Sequence, residues 1–485
     1  MNVRLFIAMS ICLAAASAHA QATPEAGTES FDLEGALLSS DARAFTADEA
    51  GQRARARSPQ IASSEAAADS AHADSEVQWS QFLPTLTGQA GYIRYSKVNT
   101  SFGRFDPAAL QGLSPDEQML FARFAGALFG SQGGSSPRFT TPPNNYQLGA
   151  NLRYPVSDIF FRVWPAYKAT KNVAAAREIE IESKRASVDL TAREAFYAHA
   201  RALATMVVAE QALKQAEAQA QQAKLFVDAG TAAPVDLMTA TARVESMRSG
   251  LARAKGVVAV TRNTLATYTG VKTSEVVGIK EPVTSLPDAP KADIDALLAS
   301  GLERRPELRA IRKLVDANTQ QQSAERAAAL PSLSLDGTVL YANPNPRYIP
   351  IVKEFKTTWQ VGATISWSPN NVLIGHHRGK KYAAETEKAL ADLAALEDAV
   401  RIEVVQAFED YQAADAAARA SEAQQRAAEE TYRVRLATYR VGAGVQIDLL
   451  AADLALTQAR LDYVNAVIDA RTSLARLARA TGEPR

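Results

Sequence analysis

Residues 146–154 read YQLGANLRY, and residues 359–367 read WQVGATISW. In both stretches every second residue is apolar, and the residues between them are polar or Gly. Alternation with a period of two is typical of a β-strand with one apolar and one polar face. An aromatic residue stands at each end of the apolar face, which suits a strand that faces lipid with its rings at the two membrane interfaces. The alternative for such a strand is a place in a soluble β-sandwich.

Two more strands are predicted, each directly after a Pro. Residues 332–341 follow Pro331 and alternate in the same way, whereas residues 85–97 follow Pro84 and are rich in Gly and Thr. Four strands cannot close a barrel, and an open sheet edge in hydrocarbon leaves backbone groups unpaired. A membrane sheet of this size therefore requires several copies of the chain. The four predicted strands cover 85–97, 146–156, 332–341 and 359–367.

The chain contains an internal duplication. The segment FVDAGTAAPVDLM at 226–238 matches TYRVGAGVQIDLL at 438–450, and the two strand segments match at nearly the same offset. In both segments a Gly precedes an Asp by six residues. Matched segments in the same order predict two structural repeats, residues 21–270 and 291–485, joined by a Pro-containing linker at 271–290.

Each repeat is predicted to continue from its strands into a helical hairpin. No Pro or Gly occurs in residues 167–229 or 380–441, which predicts two helices of about 90 Å at 1.5 Å per residue. Return helices are predicted over 235–268 and 447–480. Their many Ala residues permit close packing of the coiled-coil kind. A shorter helix before the first strand of each repeat, after Pro59 or Pro306, has the length to stack on a return helix beside one long helix.

The N-terminus has the order of a secretory signal peptide. Arg4 is followed by the mostly apolar residues 5–16 and by Ala18-His19-Ala20, so cleavage is expected before Gln21. A buried N-terminal helix is the alternative. The single Cys, Cys12, lies inside the apolar run, so the protein is not expected to be a lipoprotein. The mature chain then has no Cys for disulfides or thiol catalysis.

Composition and motifs argue against nucleic acid binding and catalysis. Lys and Arg together number 53, as do Asp and Glu, so no basic excess is present to neutralise phosphates. The adjacent His376 and His377 have no carboxylate cluster near them in sequence, and a solvated junction is the simpler interpretation. The sequence also lacks the G-x-S-x-G, H-E-x-x-H and phosphate-loop patterns. We therefore expect no enzyme activity, no cofactor and no metal.

Four features together resemble the TolC-like outer-membrane efflux channels, the outer membrane factors. They are the signal peptide, the duplicated helix–strand–strand–helix order, the Pro-x-Leu at strand entry, and the Gly with Asp six residues later. The resemblance implies a mainly α fold with membrane β: a homotrimer whose twelve-stranded β-barrel, four strands per chain, continues into a long α-helical barrel. It also implies a passive exit duct in the bacterial outer membrane that spans into the periplasm. The implied partners are outer-membrane lipid, a periplasmic adaptor protein and an inner-membrane pump of an efflux or type I secretion system.

The resemblance further implies that the turns between the paired helices form a periplasmic gate. There Asp236 would bond to Tyr439 on the neighbouring tip and help to hold the pore shut. Each Asp also has a structural interpretation, because a carboxylate in the first turn of a helix meets the positive end of the helix dipole. Two positions depart from the family pattern, where Gly444 and Ala451 replace a basic and an acidic residue. Arg440 is the candidate replacement for the missing base. The predicted gate residues are Gly230, Asp236, Tyr439, Arg440, Gly442 and Asp448, and the predicted lipid-facing aromatic girdle is Tyr146, Tyr154, Tyr341, Trp359 and Trp367.

Two points stay open at this stage. A soluble periplasmic adaptor or a coiled-coil scaffold would also contain long helical hairpins, although neither needs a lipid-facing stripe. The loop at 98–144 in the first repeat is longer than its counterpart and is expected on the extracellular side. It is either a partial lid, a surface for recognition or a flexible insertion.

Overall fold

The computed structural model describes residues 35, 37–38, 44, 46–96, 99–101, 112–129, 138–140, 142–272, 278–283, 285–287, 293–349, 351–441 and 443–483. The predicted signal peptide at 1–20 and the gate residue Gly442 lie outside these residues. Helices dominate the described chain, and they run as follows: α1 Ala47–Arg57, α2 Pro59–Ser80, α3 Pro115–Phe129, α4 Trp164–Asp228, α5 Pro234–Thr269, α6 Ile294–Arg304, α7 Pro306–Ala327, α8 Pro369–Arg440 and α9 Gln446–Ala480.

One antiparallel sheet joins the two halves of the chain. Its four strands are β1 (Thr85–Arg94), β4 (Asn144–Tyr154), β5 (Ser332–Asn343) and β6 (Lys356–Ser366), in the order β1-β4-β5-β6. A separate short pair is formed by β2 (Asn99–Ser101) and β3 (Arg138–Thr140). Because β4 pairs with β5, the first half of the chain meets the second in the centre of the sheet, and β1 and β6 are its edges.

The strand bounds differ slightly from the expected ones. The first strand ends at Arg94, before the expected 97, and the second ends at Tyr154, before the expected 156. Pro155 explains the second difference, because Pro lacks the N–H group that the ladder needs. Strand β5 continues past Tyr341 to Asn343, and β6 begins before Trp359, at Lys356.

The register places the alternating apolar residues of all four strands on one face of the sheet. The opposite face is polar, and it carries an ion pair between Arg153 and Asp336 with Nε and Oδ1 3.3 Å apart. Apolar side chains that a globular protein would bury are exposed, among them Val361 and Ile365 at 76% and 74%. Paired positions on the apolar face include Leu86 with Leu152, Leu148 with Tyr341, Tyr154 with Leu335, and Val339 with Trp359.

The long helix of the second half begins earlier than the sequence indicates. Helix α8 starts at Pro369, not at Lys380, and contains Gly375 and Gly379. These residues do not break the helix because they allow close packing on α7: a Cβ at Gly375 would lie 3.0 Å from the backbone oxygen of Glu325. The first long helix starts at Trp164, after a helical turn at 156–158 and a π-helical segment at 159–163. Among the described residues, no helix combines the length and apolar character that crossing a membrane requires.

The long helices pair with two shorter helices placed end to end. Helix α5 ends where α2 begins, and Nη1 of Arg57 donates a hydrogen bond of 2.6 Å to the carbonyl oxygen of Gly270. Helix α9 ends where α7 begins, with Gly482 packed against Arg304. The expected stacking of return and pre-strand helices is therefore present in both halves.

The apolar core is thin and lies about midway along the long helices. There α1, α6 and the linker pack around the long helices. One buried cluster joins Phe196 of α4, Leu265 of α5 and Ile468 of α9 with Ile279 and Val283 of the linker. A second packs residues of α6, α7, α8 and α9, namely Leu297, Leu308, Val400, Val404 and Leu477. Elsewhere the helices meet mostly through Ala, so their axes approach closely.

Two glycines with positive φ give a matched test of this packing. Gly230 has a φ of 76° and open space around it, whereas a Cβ at Gly482, whose φ is 69°, would lie 3.1 Å from the Cβ of Arg304. We expect Gly230→Ala to cost about 1–2 kcal/mol, the strain of a left-handed backbone. Gly482→Ala should cost more, because the junction between α6 and α7 at Arg304 must also shift. The thermal unfolding midpoint of each purified variant measures this, and equal losses would contradict the close approach at Gly482.

Candidate functional site

The site predicted from sequence lies at the two turns that join the paired helices, the helix tips. At the first tip, Gly230 adopts the left-handed conformation that ends many helices. The carbonyl oxygen of Phe226 accepts hydrogen bonds from the backbone N–H groups of Thr231 and Ala232, at 2.9 and 3.1 Å. These bonds satisfy the last turn of α4, so the first tip is a well-defined cap.

Asp236 caps the helix in which it lies. Its carboxylate accepts a hydrogen bond of 3.2 Å from the N–H of Ala233, and its own N–H donates to the carbonyl oxygen of Ala233 at 3.0 Å. Pro234 occupies the first position of α5, where a missing N–H has no cost. Asp236 therefore has a structural role as a cap at the start of α5.

At the second tip, Asp448 pairs with a residue that the sequence did not single out. Its Oδ2 lies 3.1 Å from Nη1 of Arg435, across the turn on α8. Arg440, the expected replacement for the missing base, is instead exposed in the last turn of α8. A cation there meets the negative end of the helix dipole.

Gly444 has a steric reason for being Gly. A Cβ at this position would lie 3.0 Å from the backbone nitrogen of Tyr439 and 3.1 Å from its Cα. Any side chain would force the end of α8 to move, so this form of the tip has no room for the basic residue of the family pattern.

The two tips contact each other. The rings of Phe226 and Tyr439 are 5.6 Å apart in an edge-to-face arrangement, and Nε2 of Gln446 donates to the backbone oxygen of Asp236 at 3.3 Å. Burial raises the pKa of Tyr439, and the nearby carboxylate of Asp236 raises it further. The Tyr439 hydroxyl therefore stays protonated at neutral pH and is available as a hydrogen-bond donor.

Exposed apolar side chains surround the tips. They number six, and we call them the tip collar. Each is more than three-fifths exposed, and groups of exposed apolar side chains are typical of interaction surfaces. The tip collar consists of Leu225, Val235, Met238, Val441, Val445 and Ile447.

The structure places Asp236 and Tyr439 on tips that contact each other, but among the described residues no hydrogen bond joins their side chains: the Asp236 carboxylate accepts from the N–H of Ala233. Within the same described residues, Arg440 forms no ion pair with Asp236 or Asp448, and Asp448 pairs with Arg435.

Sequence reasoning missed Phe226, Arg435 and Gln446. Phe226 and Gln446 contact residues of the other hairpin, which spacing within one hairpin does not predict, and Arg435 is one of many Arg residues on α8.

At the other end of the molecule, aromatic residues form a row across the sheet. Ring centroids are 5.0 Å apart for Tyr92 and Tyr146, 6.2 Å for Tyr146 and Phe355, and 4.9 Å for Phe355 and Tyr341. Trp359 pairs with Val339, just below this row. Tyr92 and Phe355 were not among the predicted aromatic residues.

A second group of aromatic residues lies where the sheet meets the helices. Tyr154 ends β4 and Trp367 follows β6, and Nε1 of Trp367 donates to the backbone oxygen of Ala329 at 3.3 Å. Trp164 and Phe82, whose rings are 6.1 Å apart, add to this level. The apolar face of the sheet is thus bounded by aromatic rings on both sides.

Within the described part of the chain, no group of three or more His, Asp or Glu side chains is placed to hold a metal ion. His376 and His377 stack edge to face with ring centroids 5.6 Å apart, near the start of α8.

Comparisons with known proteins agree with this arrangement. The model of the family "Outer membrane efflux protein" matches residues 50–271 and 297–483. No curated protein matches the chain. Among solved structures, the outer-membrane channel OprN aligns with a TM-score of 0.70 and 19% identity, covering 93% of this chain and 96% of its own. The CmeC outer membrane channel of Campylobacter jejuni aligns at 0.69 and 17%, covering 90% and 85%.

The open state of the MtrE outer membrane channel of Neisseria gonorrhoeae aligns at a TM-score of 0.65 and 19% identity, covering 92% of this chain and 94% of its own. These likenesses show the fold, a helical domain with a β domain of the outer-membrane channel type. They give no support to the alternative of a soluble adaptor, and an efflux family agrees with a channel and not an enzyme. Because the family model matches most of its length, the chain belongs to the outer membrane efflux protein family.

Proposed function

We propose that the chain assembles as a homotrimer and forms the outer-membrane exit duct of a tripartite efflux or type I secretion system. The observation that supports this most directly is the four-stranded sheet with an exposed apolar face and two free edges, β1 and β6. In hydrocarbon those edges must be paired, so β6 of one copy would pair with β1 of the next. Three copies give the twelve strands that the family resemblance implies.

The apolar face has the length that a transmembrane strand requires. Tyr146 and Tyr154 are the first and last residues of the alternating stretch in β4. A tilted strand crosses an outer membrane with about 9–11 residues, and the stretch from Tyr146 to Tyr154 reaches that length. The five predicted girdle residues would therefore lie at or near the two interfaces, with the polar face toward a wet lumen.

The helices would carry the duct into the periplasm, where the tip collar would contact an adaptor protein bound to an inner-membrane pump. Apolar contact at the tips suits a partner that joins end to end, because it needs no matching charges. The mature protein would begin after a cleaved signal peptide and carry no lipid anchor. Residues 21–270 and 291–485 would be two repeats of one ancestral unit, since each contains the same order of helix, strands and helical hairpin.

The helix tips would act as the gate. Asp236 and Tyr439 lie on different hairpins, whose tips are joined by the hydrogen bond of Gln446 and by the ring contact of Tyr439 with Phe226. Separation of the two tips would break both contacts. Gly230, Arg440, Gly442 and Asp448 would shape the turns and would not bond to the opposite tip.

The lipid-facing role of the sheet predicts opposite effects for two substitutions in one strand. Val361→Arg places a charge on the apolar face, at a cost of about 2–4 kcal/mol near the middle of the membrane. Thr364→Arg places the same charge on the polar face and is the matched control. We expect the first variant to lose assembled protein from isolated outer membranes and the second to keep it. Loss from both, or from neither, would argue against a membrane sheet.

The gate predicts a change in conductance. Tyr439→Phe combined with Asp236→Ala removes the hydroxyl and the carboxylate of the proposed gate pair, so the tips should separate more often. We expect a higher single-channel conductance in planar bilayers than for the unchanged protein. Asp448→Ala, which breaks a pair within one hairpin, is the control and should leave the conductance nearly unchanged. Unchanged conductance in the double variant would remove Asp236 and Tyr439 from the gate.

A further inference from the structure

A layer of polar side chains crosses the helical wall just above the tips. It contains one residue from each helix of the two hairpins: Gln219 of α4, Arg243 of α5, Tyr432 of α8 and Asp453 of α9. Each lies within nine residues of the tip end of its helix, a height of about 10–14 Å at 1.5 Å per residue.

This layer interrupts stripes of small or apolar residues. Leu449 and Leu456, both 2% exposed, lie four residues before and three after Asp453, on the same face of α9. Gln219 occupies the corresponding place between Ala216 and Ala223 on α4. The spacing of both stripes predicts an apolar residue at each position, so the polar side chains replace core residues.

The charged members of the layer are poorly bonded, and one of them is fully buried whereas the side chain of the other, Arg243, is 16% exposed. Asp453 is 0% exposed, and its Oδ2 lies 3.6 Å from Nη2 of Arg243, which is too long for a direct hydrogen bond. Neither carboxylate oxygen of Asp453 has a hydrogen-bond partner, and the same is true of Nε and Nη2 of Arg243 and of Nε2 of Gln219. Burial raises the pKa of Asp453, although Arg243 and Arg460 act in the opposite direction.

Poorly paired charges of this kind destabilise the packing of the two hairpins against each other. Moving two charges out of water costs free energy that their attraction repays only when the geometry and the remaining hydrogen bonds are good. Here the distance is long and several polar atoms are left without partners, each of which adds to the cost. Arg243 and Asp453 belong to different hairpins, so separating the hairpins would admit water to both and recover their hydration.

We propose that the pair of Arg243 with the buried Asp453 is a conformational device that destabilises the packed state of the two hairpins, so that a partner at the tips can separate them at low cost. The proposal rests on the proposed function, in which hairpin separation opens the duct. A protein with two states of similar free energy responds to any ligand that prefers one of them.

Other contacts between the hairpins oppose this effect. Gln446 and the ring pair of Phe226 and Tyr439 hold the tips together. Higher up, α4 and α9 are joined by surface ion pairs of Arg201 with Asp469 and of Glu194 with Arg476. These contacts keep the hairpins together at rest, and the polar layer sets how much free energy is needed to part them.

The test compares one substitution with a double substitution that has the opposite effect. Arg243→Met leaves the Asp453 carboxylate buried without its partner on the other hairpin, and should raise the ratio of open to closed channel by on the order of tenfold or more. Arg243→Met with Asp453→Val replaces the pair by apolar side chains, and should lower that ratio by on the order of tenfold. Arg248→Met removes an exposed arginine from the same helix, with little effect expected.

Open probability in planar bilayers is the first readout, and hydrogen exchange of the amides of α9 around Asp453 is the second. Exchange should be faster than in the unchanged protein for the single variant and slower for the double variant. If the double variant opens as often as the single one, the pair stabilises the packed state and the proposal is wrong.

The two proposals fail in different ways. If the tip variant Tyr439→Phe with Asp236→Ala alters conductance while the Arg243 and Asp453 variants alter neither readout, only the role of the polar layer is lost. If the unchanged protein forms no channels, or if exchange responds as expected and no variant alters conductance, the tip-gated duct itself is wrong.

Discussion

The requirement that every backbone N–H and C=O inside a membrane be paired is the constraint on which this structure depends. The sheet satisfies it for β4 and β5 and leaves it unsatisfied at the outer edges of β1 and β6. In the proposed duct, further copies of the chain would therefore be needed to pair these edges. Duplication helps to meet this constraint, because each half contributes two strands and the halves meet at the centre of the sheet.

The helical part follows a different rule, in which close packing replaces a thick core. Ala dominates the buried positions of α4, so the helix axes approach closely, and large apolar residues are concentrated at mid-height around Phe196 and Leu308. Toward the tips, Leu449 and Leu456 of α9 are the large buried apolar residues, and the polar layer lies between them. In the proposed duct, this is the end of the helical wall that would move.

Much of this fold could be predicted because its signals are local and repeated. Strand alternation, the absence of Pro and Gly, and the duplicated turns gave the elements without any tertiary information. Errors arose where packing overrides local preference: Gly375 and Gly379 lie inside α8 because α7 approaches there, so the long helix is longer than its composition indicates. At the tips, Gly230 and Asp236 could be located from spacing. The pairing of Asp448 with Arg435 could not, because many Arg residues line α8 and only the geometry selects one.

Asp453 shows how a departure from pattern can carry more information than the pattern itself. A charged residue in the middle of an apolar stripe breaks the rule that buried charges be well paired, and a protein selected only for stability would replace it with Leu or Val. Its nearest cation is Arg243 on the other hairpin. In the proposed gate, separation of the hairpins would part this pair and admit water to it. The exposed tip collar lies just below the layer, so a partner bound there would act on the same part of the wall.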